Sequence, residues 1–415
     1  MHVPLSINNI FGLQPFRMVS VEVAKSLVSK HTPTLSTHEL TLNDGLGFVL
    51  AEDVVAGIDM PPFPQSAMDG YALGGPFANQ ENRFSEDSTY KIIGEVAAGS
   101  AKQFELKERE CVRIFTGAPV PESAFAVVQQ EWVERNGDQM SLTQEVKASM
   151  HIRPQGEQMK REDVALEKGT LLNAAAIGFL AMIGVTEVEV FNKPKVAVLV
   201  TGNELVKPGT PLEYGQIYES NSAMLVAALK NEGIDAECVA VPDDFEQTKT
   251  AITQAMTNCD LLIMSGGISV GDHDHVGKAL IDLGTEQLFY KVKQKPGKPL
   301  FFGKKGEKLV FALPGNPGAS LSCYYEYVQP AIRRMQHHPK PEQTVLRLPL
   351  ATDFINKGGR SQFLKAKIID SKVELLGGQS SAMLSTFAVA DALVYIPSEI
   401  PQLGVGEIVE VHLLT

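Results

Sequence analysis

Between Lys195 and Arg333 short apolar runs alternate with amphipathic stretches, and this rhythm constrains the chain more than any other feature. Residues 196–200, 238–241 and 261–264 read as strands, and residues 222–230, 245–256 and 276–283 read as helices. A strand at 309–313 and a helix at 319–333 extend the series. Consecutive parallel strands need helix-length crossovers, so the pattern predicts a doubly wound, mostly parallel α/β sheet. In such sheets ligands settle beyond the carboxyl ends of the strands, where loops and helix N-termini gather.

A single core does not account for 415 residues. Before the α/β segment, Val21, Ala24, Leu27 and Val28 follow Ser20 at helical spacing, and Ser20 is placed to cap that helix. Pro61, Pro62 and Pro64 break the periodicity. Short β-type runs at 90–93, 111–115, 126–129 and 140–142, separated by turn residues, then predict a small β domain. Asn173 is placed to cap a helix over 174–183, and residues 187–191 read as a strand. After Pro339 the signal is again β, at 345–350, 363–369, 373–376, 392–396 and 408–413, with Gly358-Gly359 and Gly377-Gly378 as turns.

A formal net charge of −12 argues against a broad basic field for nucleic acid, so any anion site must be local. The cysteines, Cys111, Cys238, Cys259 and Cys323, form no CxxC pair and no zinc-ligand spacing, as expected of a reducing compartment. No apolar run has membrane-spanning length and residues 1–20 lack a signal-peptide pattern, so the expected location is cytoplasmic, away from membranes.

Four polar, glycine-rich loops follow the α/β strands: Thr201-Gly202-Asn203-Glu204, Pro242-Asp243-Asp244, residues 265–274 (Ser-Gly-Gly-Ile-Ser-Val-Gly-Asp-His-Asp), and Leu313-Pro314-Gly315-Asn316-Pro317-Gly318. They are expected to converge on one sheet edge. Ser265, Gly266, Gly267 and Ser269 suit a backbone cradle for phosphate, because glycine lets the N–H groups approach closely. The plain reading of a lone Gly-Gly is a tight turn selected for packing, and it yields only because the companion loops are equally unusual. Glu204, Asp243, Asp272 and Asp274 offer oxygen ligands for a hard divalent cation, whereas Asp244 and Asp272 taken singly read as helix-capping or solvated acids. Asp272-His273-Asp274-His275 resembles a transition-metal cluster, but four adjacent residues on one loop do not all aim at one ion. Lys291, Lys293 and Lys295 alternate and so project to one face of an extended segment, with Lys298 just beyond, as either an anion seat or a solvated strand face. Upstream, residues 64–71 and 113–121 are dense in turn residues and carry Asp69 and Thr116.

In order along the chain, SAMDGYA (66–72), RIFTGAPVP (113–121), TGNEL (201–205), SGGISVGDHD (265–274), KPGKP (295–299) and LPGNP (313–317) resemble the molybdopterin molybdenumtransferases, the MoeA and gephyrin C-terminal domain family. The resemblance implies a discontinuous dimerisation region (17–60 and 153–192), an inserted β lid (61–152), a molybdopterin/nucleotide-binding α/β domain (193–338) and a C-terminal β-barrel (339–415). It implies a homodimer whose cleft lies between the α/β domain of one subunit and the lid of the other. It assigns functional roles to Asp69, Thr116, Glu204, Asp243 and Asp274, with Glu204, Asp243 and Asp274 toward Mg²⁺. Substrate contacts fall on Ser265, Gly266, Gly267, Ser269, Lys291, Lys295, Lys298, Pro314, Gly315, Asn316 and Pro317.

The implied reaction converts adenylylated molybdopterin and molybdate to molybdenum-molybdopterin and AMP, with no covalent protein nucleophile. Besides its second copy and small-molecule pterin and oxyanion substrates, the implied partners are the molybdopterin adenylyltransferase and molybdoenzyme chaperones; nucleic acid and membrane are not among them. This chain departs from the family pattern at Asn203, where many relatives carry Asp, at His275, in place of a common aromatic, and at Gly318-Ala319, where Val-Ser is frequent. Two alternatives stand beside this reading. A molybdopterin adenylyltransferase shares the α/β domain but not the segments around Asp69 and Thr116, and a gephyrin-type scaffold has no need of the acidic site residues.

Overall fold

A computed structural model of the chain describes residues 18–75, 83–84, 88–268 and 275–414. The first helix, α1 (Val21–His31), is capped by Ser20, whose hydroxyl accepts from Val23 N at 3.3 Å. Val21, Ala24 and Val28 lie on one face and are buried. That face packs in the core of the later α/β sheet with Val198, Leu300 and Tyr327, although the resemblance implied that the segment belongs to the discontinuous region. The cause is backbone pairing next to the helix: Val19 N donates to Lys291 O at 2.9 Å and Lys293 N donates to Val19 O at 2.8 Å.

After β1 (Thr37–Thr41) come the strands of a six-stranded sheet: β2 (Gly70–Gly74), β3 (Thr89–Val96), β4 (Glu110–Ile114), β5 (Ala124–Gln129), β6 (Val133–Asn136) and β7 (Gln139–Leu142). The order is β5-β2-β4-β3-β7-β6, antiparallel except for β3 and β4. The turn-like composition of residues 64–71 hid β2. Gly70 is required there by close approach, since a Cβ would stand 1.7 Å from Val128 O. The chain then forms α2 (Ala174–Met182), with Asn173 Oδ1 accepting from Ala176 N at 2.9 Å, and β8 (Glu187–Phe191), which pairs antiparallel with β1. Leu42 and Leu50 from before the sheet share one core with Leu172, Leu180 and Val190 from after it.

The α/β segment runs β9 (Val196–Thr201), α3 (Asn221–Asn231), β10 (Glu237–Val241), α4 (Phe245–Asn258), β11 (Leu261–Ser265), α5 (His275–Asp282), β12 (Glu286–Lys291), a short β13 (Gln294–Lys295), β14 (Pro299–Lys305) and β15 (Lys308–Leu313). The sheet order is β10-β9-β11-β15-β14-β12. β10, β9, β11 and β15 are parallel, while β14 is antiparallel to both neighbours, so β12 points the same way as the parallel set. In β14, Leu300, Phe301 and Phe302 are consecutively buried, and this two-sided burial removes the alternation that marks a strand in sequence.

The single helix expected over 319–333 is replaced by α6 (Pro317–Cys323), a π-helical turn Tyr324–Val328 and α7 (Gln329–Met335). Pro330 has no N–H for the carbonyl four residues earlier, so the regular ladder is interrupted and the turn before it widens. The last sheet comprises β16 (Val345–Pro349), β17 (Ser361–Ile369), β18 (Lys372–Leu375), β19 (Ala392–Ile396) and β20 (Ile408–Leu413). Its order is β13-β17-β19-β20-β16 with β18 on β17, and Leu350 bridges Val373 so that pairing returns toward β16. β13 therefore joins this sheet while its sequence neighbours β12 and β14 stay in the α/β sheet. No helix among the described residues is long and apolar enough to cross a membrane.

Candidate functional site

The carboxyl ends of β9, β10, β11, β15 and β12 lie on one rim, and four expected loops come off it. Asp243 N donates to Asn203 Oδ1 at 3.1 Å, which ties the loop after β10 to the loop after β9. Gly266 and Gly267 have φ of +89° and +61°, the left-handed region. A Cβ on Gly266 would stand 2.2 Å from Thr201 O, and one on Gly267 would stand 2.6 Å from Thr201 Oγ1. Both glycines are thus demanded by packing against the end of β9, which the bland reading of this turn anticipated.

The loop after β15 is joined by a residue that sequence reasoning passed over. Asn221, at the start of α3, is buried and donates Nδ2 to Ser265 Oγ at 2.9 Å and to Gly315 O at 2.8 Å. Ser265 is fully buried, and Gly315 packs with its open side toward Gly266. One amide therefore clamps the Ser-Gly-Gly and Pro-Gly-Asn loops together. The only sequence signal was Asn221's place at a helix start, where capping is the ordinary explanation. Asn316 Nδ2 donates to Ser381 Oγ at 3.1 Å, and Ala319 N donates to Ser381 O at 3.1 Å, so a loop of the C-terminal sheet reaches the same rim. Lys365 holds that loop from within, its buried ammonium donating to the carbonyls of Gly378, Ser380 and Met383.

Lys291 ends β12 on the rim, and the segment beyond it forms a loop closed by Val292 N donating to Lys298 O at 3.0 Å. Val292, Gln294 and Gly297 face inward and are buried, whereas Lys293, Lys295 and Lys298 are exposed. The alternation read from sequence is therefore real, although it spans a handover between two sheets rather than one strand.

Asp244 caps α4, accepting from Gln247 N at 2.9 Å, as its plain reading required. Its neighbour Asp243 behaves differently: Oδ1 is buried and has no hydrogen-bond partner among the described residues, and the same holds for Thr201 Oγ1. Glu204 is exposed at the mouth of the first loop. An all-oxygen set with an unsatisfied carboxylate fits a hard cation. No three acidic, His or Cys side chains meet at metal-ligand spacing among the described residues. Ser269, Asp272, His273 and Asp274 lie outside the described residues.

Asp69 and Thr116 are brought together across β2 and β4. Asp69 Oδ1 accepts from Thr116 N and from Thr116 Oγ1, each at 2.8 Å. These two bonds favour the ionised form and hold the carboxyl below its ordinary range. Ser66 N donates to Ala118 O and Gly117 N donates to Ser66 O, so the two segments form one bracket. Arg113 supports it from below, donating to Gly70 O and Gln130 Oε1 and lying over the rings of Tyr71 and Phe115. Among the described residues no hydrogen bond of the protomer links this bracket to the α/β rim.

The doubly wound sheet with its polar rim and the separate β domain carrying the Asp69–Thr116 bracket together define a multidomain α/β protein. Three family models match along the chain: the MoeA N-terminal region (domain I and II) over residues 19–184, a probable molybdopterin binding domain over 197–334, and the MoeA C-terminal region (domain IV) over 347–414. The Haemophilus influenzae protein named molybdopterin molybdenumtransferase is 33% identical over 95% of this chain and 98% of its own length. The Mycobacterium tuberculosis protein named molybdopterin molybdenumtransferase 2 is 32% identical over 96% of this chain and 100% of its own. The crystal structure titled as the molybdopterin biosynthesis MoeA protein of Pyrococcus horikoshii superposes with a TM-score of 0.80 at 30% identity, covering 96% of this chain and 100% of that one. The chain belongs to the molybdopterin molybdenumtransferase family.

Proposed function

We propose that this protein inserts molybdenum into molybdopterin, converting adenylylated molybdopterin and molybdate to molybdenum-molybdopterin and AMP in the cytoplasm. The observation that carries the reading is the convergence of Glu204, Asp243, the Ser265–Gly267 turn, the Pro314–Pro317 loop and the Lys291–Lys298 loop on one rim. The lysines and the backbone N–H groups of the glycine turn hold anionic oxygens beside one another, and Pro314 and Pro317 shape the wall facing the pterin. Glu204, Asp243 and Asp274 would hold Mg²⁺, and the chemistry it would supply there is electrostatic polarisation of the pyrophosphate. Thr116 keeps Asp69 ionised and oriented toward the partner's rim.

The working form is a homodimer. α2 is apolar at all nine positions, yet Ala174, Ala175, Gly178, Ala181 and Met182 are exposed in the single chain, which suits burial against a second copy. Within this reading, residues 17–60, apart from α1, and 153–192 dimerise, 61–152 form the lid, 193–338 together with α1 the α/β domain and 339–415 a C-terminal barrel. The test is AMP release by the purified protein from adenylylated molybdopterin in the presence of Mg²⁺ and molybdate. Asp274→Ala is expected to stay a folded dimer with AMP release nearly lost, and full activity in that variant removes Asp274 from the site.

A further inference from the structure

We propose that Gln294 is the positioning residue of the cationic loop, setting the spacing of Lys293, Lys295 and Lys298 and thereby the affinity for the oxyanion. The inference rests on the lysine reading above. Gln294 is only 1% exposed although it sits between two exposed lysines. A buried amide is costly unless all its groups are bonded, and an apolar residue of the same volume would fill the space without that demand.

Here both ends of the amide are engaged. Nε2 donates to Gly297 O at 3.1 Å and lies 3.6 Å from Cys323 Sγ, while Oε1 accepts from Tyr327 OH. Tyr327 belongs to the π-helical turn and Cys323 to the end of α6, so one side chain pins the apex of the lysine loop to the helix behind it. Gly297 makes the approach possible: its φ is +84°, and a Cβ would stand 2.4 Å from Cys323 Sγ and 2.9 Å from Gln294 Nε2. The backbone is tied on the other side as well, since β13 runs parallel to β17 with Gln294 opposite Ser361, and Ser361 N donates to Lys293 O at 3.1 Å. With its inner residues pinned in this way, the backbone that carries Lys293, Lys295 and Lys298 is held in place while the three lysines stay exposed. Burying a small tetrahedral dianion among them depends on their spacing more than on total charge.

The test compares the full-length protein with Gln294→Met, Tyr327→Phe and Lys295→Ala, using molybdate as the probe in calorimetry and in AMP-release kinetics. Gln294→Met is expected to weaken molybdate binding about ten-fold and raise KM in parallel, with kcat within about two-fold. Tyr327→Phe, which keeps the ring and removes only the hydroxyl, is expected to shift both in the same direction by a smaller factor. A merely structural role would lower the active fraction and kcat while leaving the dissociation constant of the folded protein unchanged. Unaltered molybdate affinity in Gln294→Met, or in Tyr327→Phe should the first variant not fold, overturns the proposal when Lys295→Ala does weaken binding. Unaltered affinity in Lys295→Ala instead overturns the lysine reading, and this inference with it.

Discussion

At the scale of single residues, the site is built from side chains whose roles are set by their hydrogen bonds. Asp69 illustrates this: both bonds to its Oδ1 come from Thr116, one from the backbone and one from the hydroxyl. Thr116→Val deletes only the second, so the Asp69 carboxyl is expected to titrate closer to its ordinary value, as measured by NMR, with AMP release reduced. Because the folded carboxyl is depressed, its contribution to stability is present above the ordinary range and disappears as pH falls through the folded value. Asn221 offers a second case. Asn221→Ala leaves Ser265 Oγ and Gly315 O without their buried donor, and loss of about 1–3 kcal/mol in urea unfolding is expected. An unchanged midpoint would show that the two loops hold together without the amide.

At the scale of elements, the π-helical turn Tyr324–Val328 carries buried polar contacts that join distant segments. Tyr327 reaches the lysine loop, while Glu326, fully buried, meets Lys25 of α1 at 2.5 Å and His412 of β20 at 2.7 Å. His412 Nε2 lies 2.8 Å from Glu410. Burial alone would lower the His412 value, but the charge of Glu326 and the bonds to Glu326 and Glu410 outweigh it and hold the imidazolium form above 6.5. Burial would raise Glu326, but Lys25 and His412 outweigh it and keep the carboxylate ionised. With a raised folded value, the contribution of His412 is complete below pH 6.5 and fades as pH rises through the folded value. Glu326 contributes above 4.5 and loses that contribution as pH falls through its depressed value. The thermal midpoint of the wild type is therefore expected to decline on the alkaline side of 6.5, and His412→Gln is expected to remove that slope. The same slope in the variant would assign it to another group.

At the scale of the whole molecule, the proposed cleft joins the Asp69 bracket of one chain to the α/β rim of a second; within the protomer the two lie on different sheets, with no hydrogen bond between them among the described residues. Gly178 on α2 provides a direct probe. A Cβ there meets nothing within 4 Å in the protomer, so Gly178→Arg should fold normally. It is expected to run as a monomer in light scattering and to lose AMP release. Complementation tests the shared cleft itself: Asp69→Ala and Asp243→Ala dimers, each inactive, are unfolded together, refolded and assayed. Subunit exchange at equal amounts restores one intact cleft in each mixed dimer, about a quarter of wild-type activity. No recovery would place both residues in a cleft formed within one chain.

Periodicity and turn chemistry are local properties, and they alone determined much of this protein. The helix caps at Ser20, Asn173 and Asp244, the alternation of β9 through α5 and the outward projection of Lys293 and Lys295 were legible because each depends on residues within a few positions of one another. The ordered motifs likewise marked the family before any fold was considered. Other features were decided only by contacts between distant segments. β2 exists because Gly70 fits against Val128, β14 carries no alternation because both its faces are buried, and α1 leaves its expected region because Val19 pairs with Lys291 and Lys293. Asn221 and Gln294 looked like ordinary polar residues, since their partners at Gly315 and Tyr327 lie 94 and 33 positions away. A buried amide declares its purpose only when the chain has folded around it, because its cost and its reward both come from the groups that enclose it.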